Sequence, residues 1–173
     1  NEHDYMRKLE IVYYLQKRTD IFFDNSVILK TEIARLFLEE ANLPGIDKNW
    51  VITACLLCGC KKMKDPADIT RIKVYAKEGA DYLRALGFPE RFCTICEQVN
   101  RYSGSAPREP EVESDILELV DNLGGLLLDR PERRGFPIDE AITLLEYRNL
   151  KDVDNMYMQA FKKFVAKEEG IAV

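Results

Sequence analysis

The sequence has almost no histidine: of 173 residues, only His3 carries an imidazole. A histidine-rich metal centre, or any catalytic scheme with a histidine base, therefore has a single candidate in the chain. Long apolar runs are missing too, and none approaches the ~20 residues needed to cross a bilayer. Basic residues are not in excess, since 25 Lys and Arg stand against 30 Asp and Glu for a net charge of −5. A nucleic-acid partner is not expected, because such partners favour a basic face. Hairpin signals, repeats and low-complexity tracts are absent as well. The N-terminus is charged from Glu2 and lacks a continuous apolar core, so no secretory leader is expected. The five cysteines are an odd number, and several sit in apolar runs. That suits buried free thiols in a reducing, cytoplasmic setting better than a disulfide framework.

What is present is helical periodicity. Met6, Leu9, Val12, Tyr13 and Gln16 predict a first helix over residues 3–18. Leu29, Ile33, Leu36, Phe37 and Ala41 predict a second, ending near Asn42 and Pro44-Gly45. Asp47 is placed to cap a third, which carries Val51, Ala54, Cys55 and Cys58. Asp65-Pro66 opens a fourth, because proline suits the first helical turn. It runs through Ile69, Ile72 and Tyr75 to Tyr82 and Leu83, with Gly79 a weak point. Gly87-Phe88-Pro89 breaks the chain, and Pro89 starts a fifth helix with Phe92, Ile95, Cys96 and Val99. Residues 103–110 read as a loop. Ser114 to Leu128 is a sixth helix and Arg130 to Pro137 a charged loop. Ile138 to Leu150 and Asp152 to Glu168 complete the set, the last with a stripe of Met156, Tyr157, Ala160, Phe161 and Phe164. Apolar content of 46% is enough for a packed core. The expectation is one all-α domain over residues 1–173, a bundle of about seven or eight helices.

The third helix ends in ITACLLCGCKKMKD, Ile52 to Asp65. This stretch resembles the HD-domain phosphohydrolase superfamily, in which an apolar run is followed by His-Asp and then Gly-Lys. Ala54, Leu56 and Leu57 match the apolar run, and Lys62 matches the lysine. Cys58 stands at the histidine position and Gly59 at the aspartate position. Downstream, EGADYLRALGFPERF, Glu78 to Phe92, is similar to a second family stretch, with Tyr75 where the family often has a histidine. ILELVDNLGGLL resembles the helix that supplies the last metal-binding aspartate, which places Asp121 there. Ile33-Ala34 resembles the pair after the family's first histidine, whose position would then be Leu29 or Lys30. The resemblance spans roughly residues 27–128, with flanking helices in 1–26 and 129–173. It implies an HD-like helical bundle.

The family's metal polarises a phosphate and turns bound water into hydroxide near neutral pH. Such a site needs several imidazoles and carboxylates converging on one point. Of that set this chain keeps only Asp121, so no metal, no cofactor and no catalytic residue is expected. The literal pair His3-Asp4 lies ahead of the first apolar face and has no downstream partners. An unpaired buried carboxylate protonates or finds a cation. Lys61, Lys62 and Lys64 follow the lost pair, and one expectation is that Lys62 approaches Asp121 in place of the metal. The alternative is that KKMK is a solvated helix end.

Two CxxC pairs, Cys55/Cys58 and Cys93/Cys96, would suggest zinc. Both lie within apolar helices, however, and read as core packing. Cys58 as a nucleophile would lack a histidine base. The arginines of RPERR, 130–134, with Arg101 and Arg108, read either as an anion-binding rim or as a solvated loop. Glu109, Glu111, Glu113 and Asp115 read as a solvated acidic run. The sequence thus points to a catalytically inactive, pseudoenzyme-like binding or regulatory module. Its vestigial pocket would comprise Cys58, Gly59, Lys62, Tyr75, Arg101 and Asp121, and its partner would be a phosphorylated small molecule, a nucleotide or a protein. The alternatives are a phosphohydrolase with an atypical ligand set, and a structural or oligomerising helical protein such as a homodimer.

Overall fold

The computed structural model of the chain describes residues 26–61, 75–99, 111–129, 133–148 and 156–168. Among them run seven helices and no strand: α1 (Ser26–Ala41), α2 (Lys48–Leu57), α3 (Tyr75–Ala85), α4 (Glu90–Glu97), α5 (Val112–Leu127), α6 (Ile138–Arg148) and α7 (Met156–Glu168). The all-α expectation holds. The helix expected over 3–18, the stretch 65–74 of the expected fourth helix and the pair His3-Asp4 lie outside the described residues.

Local chemistry sets the boundaries. Asn42 adopts a φ of 43° and Gly45 one of 75°, the left-handed turn geometry that stops α1 before Asp47. The Asp47 side chain then accepts a hydrogen bond from the Trp50 amide at 3.0 Å and caps α2. Gly87, at φ 87°, ends the α3 region, and Pro89 precedes the first residue of α4. The segment before α5 is fixed by Gln98, whose Oε1 accepts both the Glu111 amide at 2.8 Å and the Ser114 hydroxyl. At the far end of α5, Arg133 donates to the carbonyls of Gly125 at 2.7 Å and Leu126 at 3.2 Å. A cation there satisfies terminal carbonyls and opposes the negative end of the helix dipole.

The core is organised around α5, which packs against α1, α2, α4, α6 and α7. Its Ile116, Leu117, Leu119, Val120, Leu123 and Leu126 are all buried, so this helix is apolar over most of its circumference. α1 closes onto α7 through Phe37 and Phe161, whose rings meet edge to face at 5.1 Å. Lys167 and Glu40 add an exposed ion pair across the same seam.

Three expectations shift. On α1 the fully buried face is Lys30, Ala34, Phe37 and Leu38, whereas Leu29, Ile33 and Leu36 flank it half-buried. On α7 the buried face carries Met158 and Val165 beside Phe161 and Phe164, with Tyr157 and Ala160 at its border. Glu113 does not belong to a solvated acidic run: it is fully buried, because its carboxylate bridges two other elements. Oε1 accepts the Asp47 amide at 3.1 Å, and Oε2 meets the Arg91 guanidinium at 2.7 Å. Arg91 also covers the Trp50 ring at 5.2 Å. Glu113 thus ties α5 to the start of α2 and to α4. Glu113→Ala is expected to lower the free energy of unfolding by about 2 kcal/mol, the size of a charge-assisted hydrogen bond with a buried partner. Glu113→Gln, which keeps the acceptor for Asp47, should lose less; urea denaturation at constant m-value checks both.

Candidate functional site

The site grows out of the seam between α1 and α5. Asp121 sits on the second half of α5, partly buried. Its Oδ1 accepts from Lys30 Nζ of α1 at 2.7 Å, with side-chain exposures of 5% for the lysine and 20% for the aspartate. The lysine reaches it because α5 lacks a side chain at Gly124, one turn further along. A methyl built there would stand 2.5 Å from Lys30 Cγ, 3.2 Å from Cε and 3.4 Å from Cδ. Three successive methylenes of the lysine therefore lie across bare backbone, and the ammonium emerges at the carboxylate. Lys30 supplies a counter-cation for Asp121; Lys62, expected to approach it, lies outside the described residues.

α2 supplies the other wall. Cys55 and Cys58, one turn apart, are 2% and 4% exposed and interact electrostatically with both members of the pair. Burial pushes the Cys55 thiol up to about 12, the Asp121 charge adds to the rise, and the Lys30 charge opposes it. Cys58 is driven well above the usual thiol range, again by burial first and Asp121 second. It forms the C-cap of α2, its amide donating to the Ala54 carbonyl at 2.8 Å. A thiol so held in its neutral form is a poor nucleophile near neutral pH.

α3 comes down on this end of α2 through Gly79. A methyl at Gly79 would stand 3.3 Å from the Cys58 carbonyl oxygen and 3.4 Å from Cys60 Sγ. The two sequence stretches that carry the family resemblance, around Cys58-Gly59 and around Gly79, are thus in contact. Tyr75, at the start of α3, is buried, and Gly59 lies in the half-buried turn after Cys58. Arg101 and Arg108 lie outside the described residues, as does Arg130. Within RPERR, Arg133 donates to the Gly125 carbonyl at the end of α5 and covers the Phe136 ring at 4.7 Å.

All five cysteines are free thiols, four of them buried and Cys60 partly so. Cys96 is raised by burial and then by the neighbouring Cys58, Cys60, Cys93 and Cys55, which gathers the α2 and α4 thiols into one apolar neighbourhood. Among the described residues no group of three His, Cys, Asp or Glu side chains is arranged to hold a metal ion. Lys30 is the residue that the sequence did not assign to the carboxylate. The available signal was its register: it falls four residues before Ala34 and seven before Phe37, on the buried face of α1.

Asp121→Ala would leave the Lys30 ammonium buried without this partner and is expected to destabilise the fold by about 3 kcal/mol. The double variant Lys30→Met/Asp121→Leu should recover most of that loss in a thermodynamic cycle read by urea denaturation. The thiols give a pH dependence with a defined sign. Their folded-state affinities for protons are raised, so their contribution to stability is complete below the ordinary thiol value of 9.0. It is lost as the pH rises toward about 11 for Cys60 and about 12 for Cys55. Urea midpoints should therefore fall above about pH 9, and less so in Cys55→Ala. No family model, curated protein or solved structure matches the chain.

Proposed function

We propose that the chain is a degenerate HD-like domain that has exchanged its metal for a lysine and works as a binding or regulatory module, not a hydrolase. The kinship rests on the residues around Cys58-Gly59, Gly79 and Asp121. The reading is carried by one observation: Lys30 Nζ lies 2.7 Å from Asp121 Oδ1 at the carboxylate a metal would use. An ammonium neutralises that carboxylate and cannot polarise a phosphate or make hydroxide from bound water in the way a Lewis acid does. Burial raises the proton affinity of the neighbouring Cys58 thiol, which makes it a poor hydrolytic nucleophile.

The pair also bears on the ligand. Lys30 and Asp121 together carry no net charge, so a phosphorylated ligand gains little attraction from them. A protein partner or a ligand of other chemistry fits the neutral site better than a phosphate ester does.

The test is the metal content of protein purified under reducing conditions without a metal-affinity column, joined to a phosphate-release screen against nucleotides and phosphate esters. No stoichiometric metal and no release are expected. One iron, manganese or nickel per chain, or phosphate release lost in Asp121→Asn, overturns the reading. One zinc per chain would assign the cysteines as ligands instead.

A further inference from the structure

The two ends of α3 are held very differently. Its C-terminal end closes in a Schellman turn: the Phe88 amide donates to the Leu83 carbonyl at 3.1 Å and the Gly87 amide to the Arg84 carbonyl at 2.9 Å, with Gly87 at a φ of 87°. From the same turn Arg84 reaches Glu90 and Glu97 of α4, each at 2.9 Å. α4 is itself tied to the core. Arg91 meets the buried Glu113 at 2.7 Å, Gln98 accepts the Glu111 amide at 2.8 Å, and the Phe92 ring packs on Trp50 at 6.2 Å.

The N-terminal half of α3 has no such fastening among the described residues. Among the helices α3 packs chiefly against α4. After Tyr75 its buried residues there are Ala76, Gly79 and Ala80, which carry only two methyl groups between them. Small side chains bury little apolar surface, so this half is the cheaper one to lift. It lies on the turn after α2, where Gly79 approaches the Cys58 carbonyl and Cys60 Sγ donates weakly to the Gly79 carbonyl at 4.0 Å.

We infer that α3 is a flap hinged on α4 at its Gly87 turn, whose N-terminal half lifts off the Cys58–Cys60 turn while the seam of α1 and α5 stays closed. The flap covers the Cys58 end of the wall that α2 lends to the Asp121 site. Cys55, one turn back beside Lys30 and Asp121, stays buried when it lifts. The inference deepens the proposed binding role by naming the entrance to that site, and it rests on that role only for what enters. The opening itself rests on the packing of α3. Metal content and phosphate release test the role, and thiol exposure tests the opening, so either can fail without the other.

The native chain carries its own reporters. Alkylation by excess iodoacetamide under native conditions is followed at each cysteine by peptide mass spectrometry. Each rate is divided by that of the same cysteine in the urea-unfolded chain. On this scale Cys58 should react roughly tenfold faster than Cys55. Low concentrations of urea should speed Cys55 steeply and Cys58 little, because lifting a flap exposes less surface than unfolding the core. Equal rates with one urea dependence, or a slower Cys58, would mean that the turn is uncovered only by global unfolding and would overturn the inference. Gly79→Val drives a branched side chain against the Cys58 carbonyl and Cys60 Sγ. It should raise the Cys58 rate severalfold and leave Cys55 unchanged. A parallel rise at both thiols, or none at Cys58, sinks the flap; if the variant does not fold, the comparison within the native chain decides alone.

Discussion

A lysine ammonium held 2.7 Å from a carboxylate, in the seam between two helices, is the constraint to which the rest of this fold is fitted. Taking both charges out of water costs several kcal/mol per ion, and their attraction offsets this only in good geometry. The surroundings provide that geometry at every point. Gly124 lets the lysine stem lie flat on α5. α2 presents thiols whose proton affinity burial raises, so they add no negative charge beside the pair near neutral pH. Asp121 keeps a part of its surface toward solvent, which relieves the desolvation that a wholly buried pair would suffer.

The pair also explains the shape of the seam. α1 carries no other buried charge among the described residues, and its buried face otherwise consists of Ala34, Phe37 and Leu38. Apolar side chains tolerate sliding by a turn; an ammonium that must reach one carboxylate does not. The contact therefore fixes the register of α1 along α5, much as a single polar residue fixes register in a coiled coil. The phenylalanine contacts with α7 then fill the space that this register leaves.

The helices were legible because they depend on local signals: the Asp47 cap, the breaks at Asn42–Gly45 and Gly87–Pro89, and the periodic apolar runs. The site was half legible. Asp121 could be picked out and its need for a cation inferred, but the supplier could not. Lys61 and Lys62 are near the motif in sequence, and Lys30 is 91 positions from Asp121. Only the packing of α1 on α5 brings it in. The α1 stripe was read as Leu29, Ile33, Leu36, Phe37 and Ala41, and Lys30 entered only as one of two positions for the family's first histidine, not as the cation for Asp121. Glu113 was misread for a related reason. A glutamate in the first turn of a helix satisfies the dipole whether solvated or buried, and its partners, the Asp47 amide and Arg91, sit in other elements. Cys55, Cys58, Cys93 and Cys96 were read correctly as core, because their spacing sets them on the buried faces of apolar helices.

The bridge from Glu113 to the Asp47 amide has a consequence for hydrogen exchange. Amides in the first turn of a helix have no partner within their own helix and ordinarily exchange by fraying. The Asp47 amide, one residue before α2, is instead held by a buried carboxylate of α5 that also grips Arg91 of α4. It can open to water only when these three helices separate. A capping position at the edge of a helix thus reports on the opening of the core rather than of its own terminus.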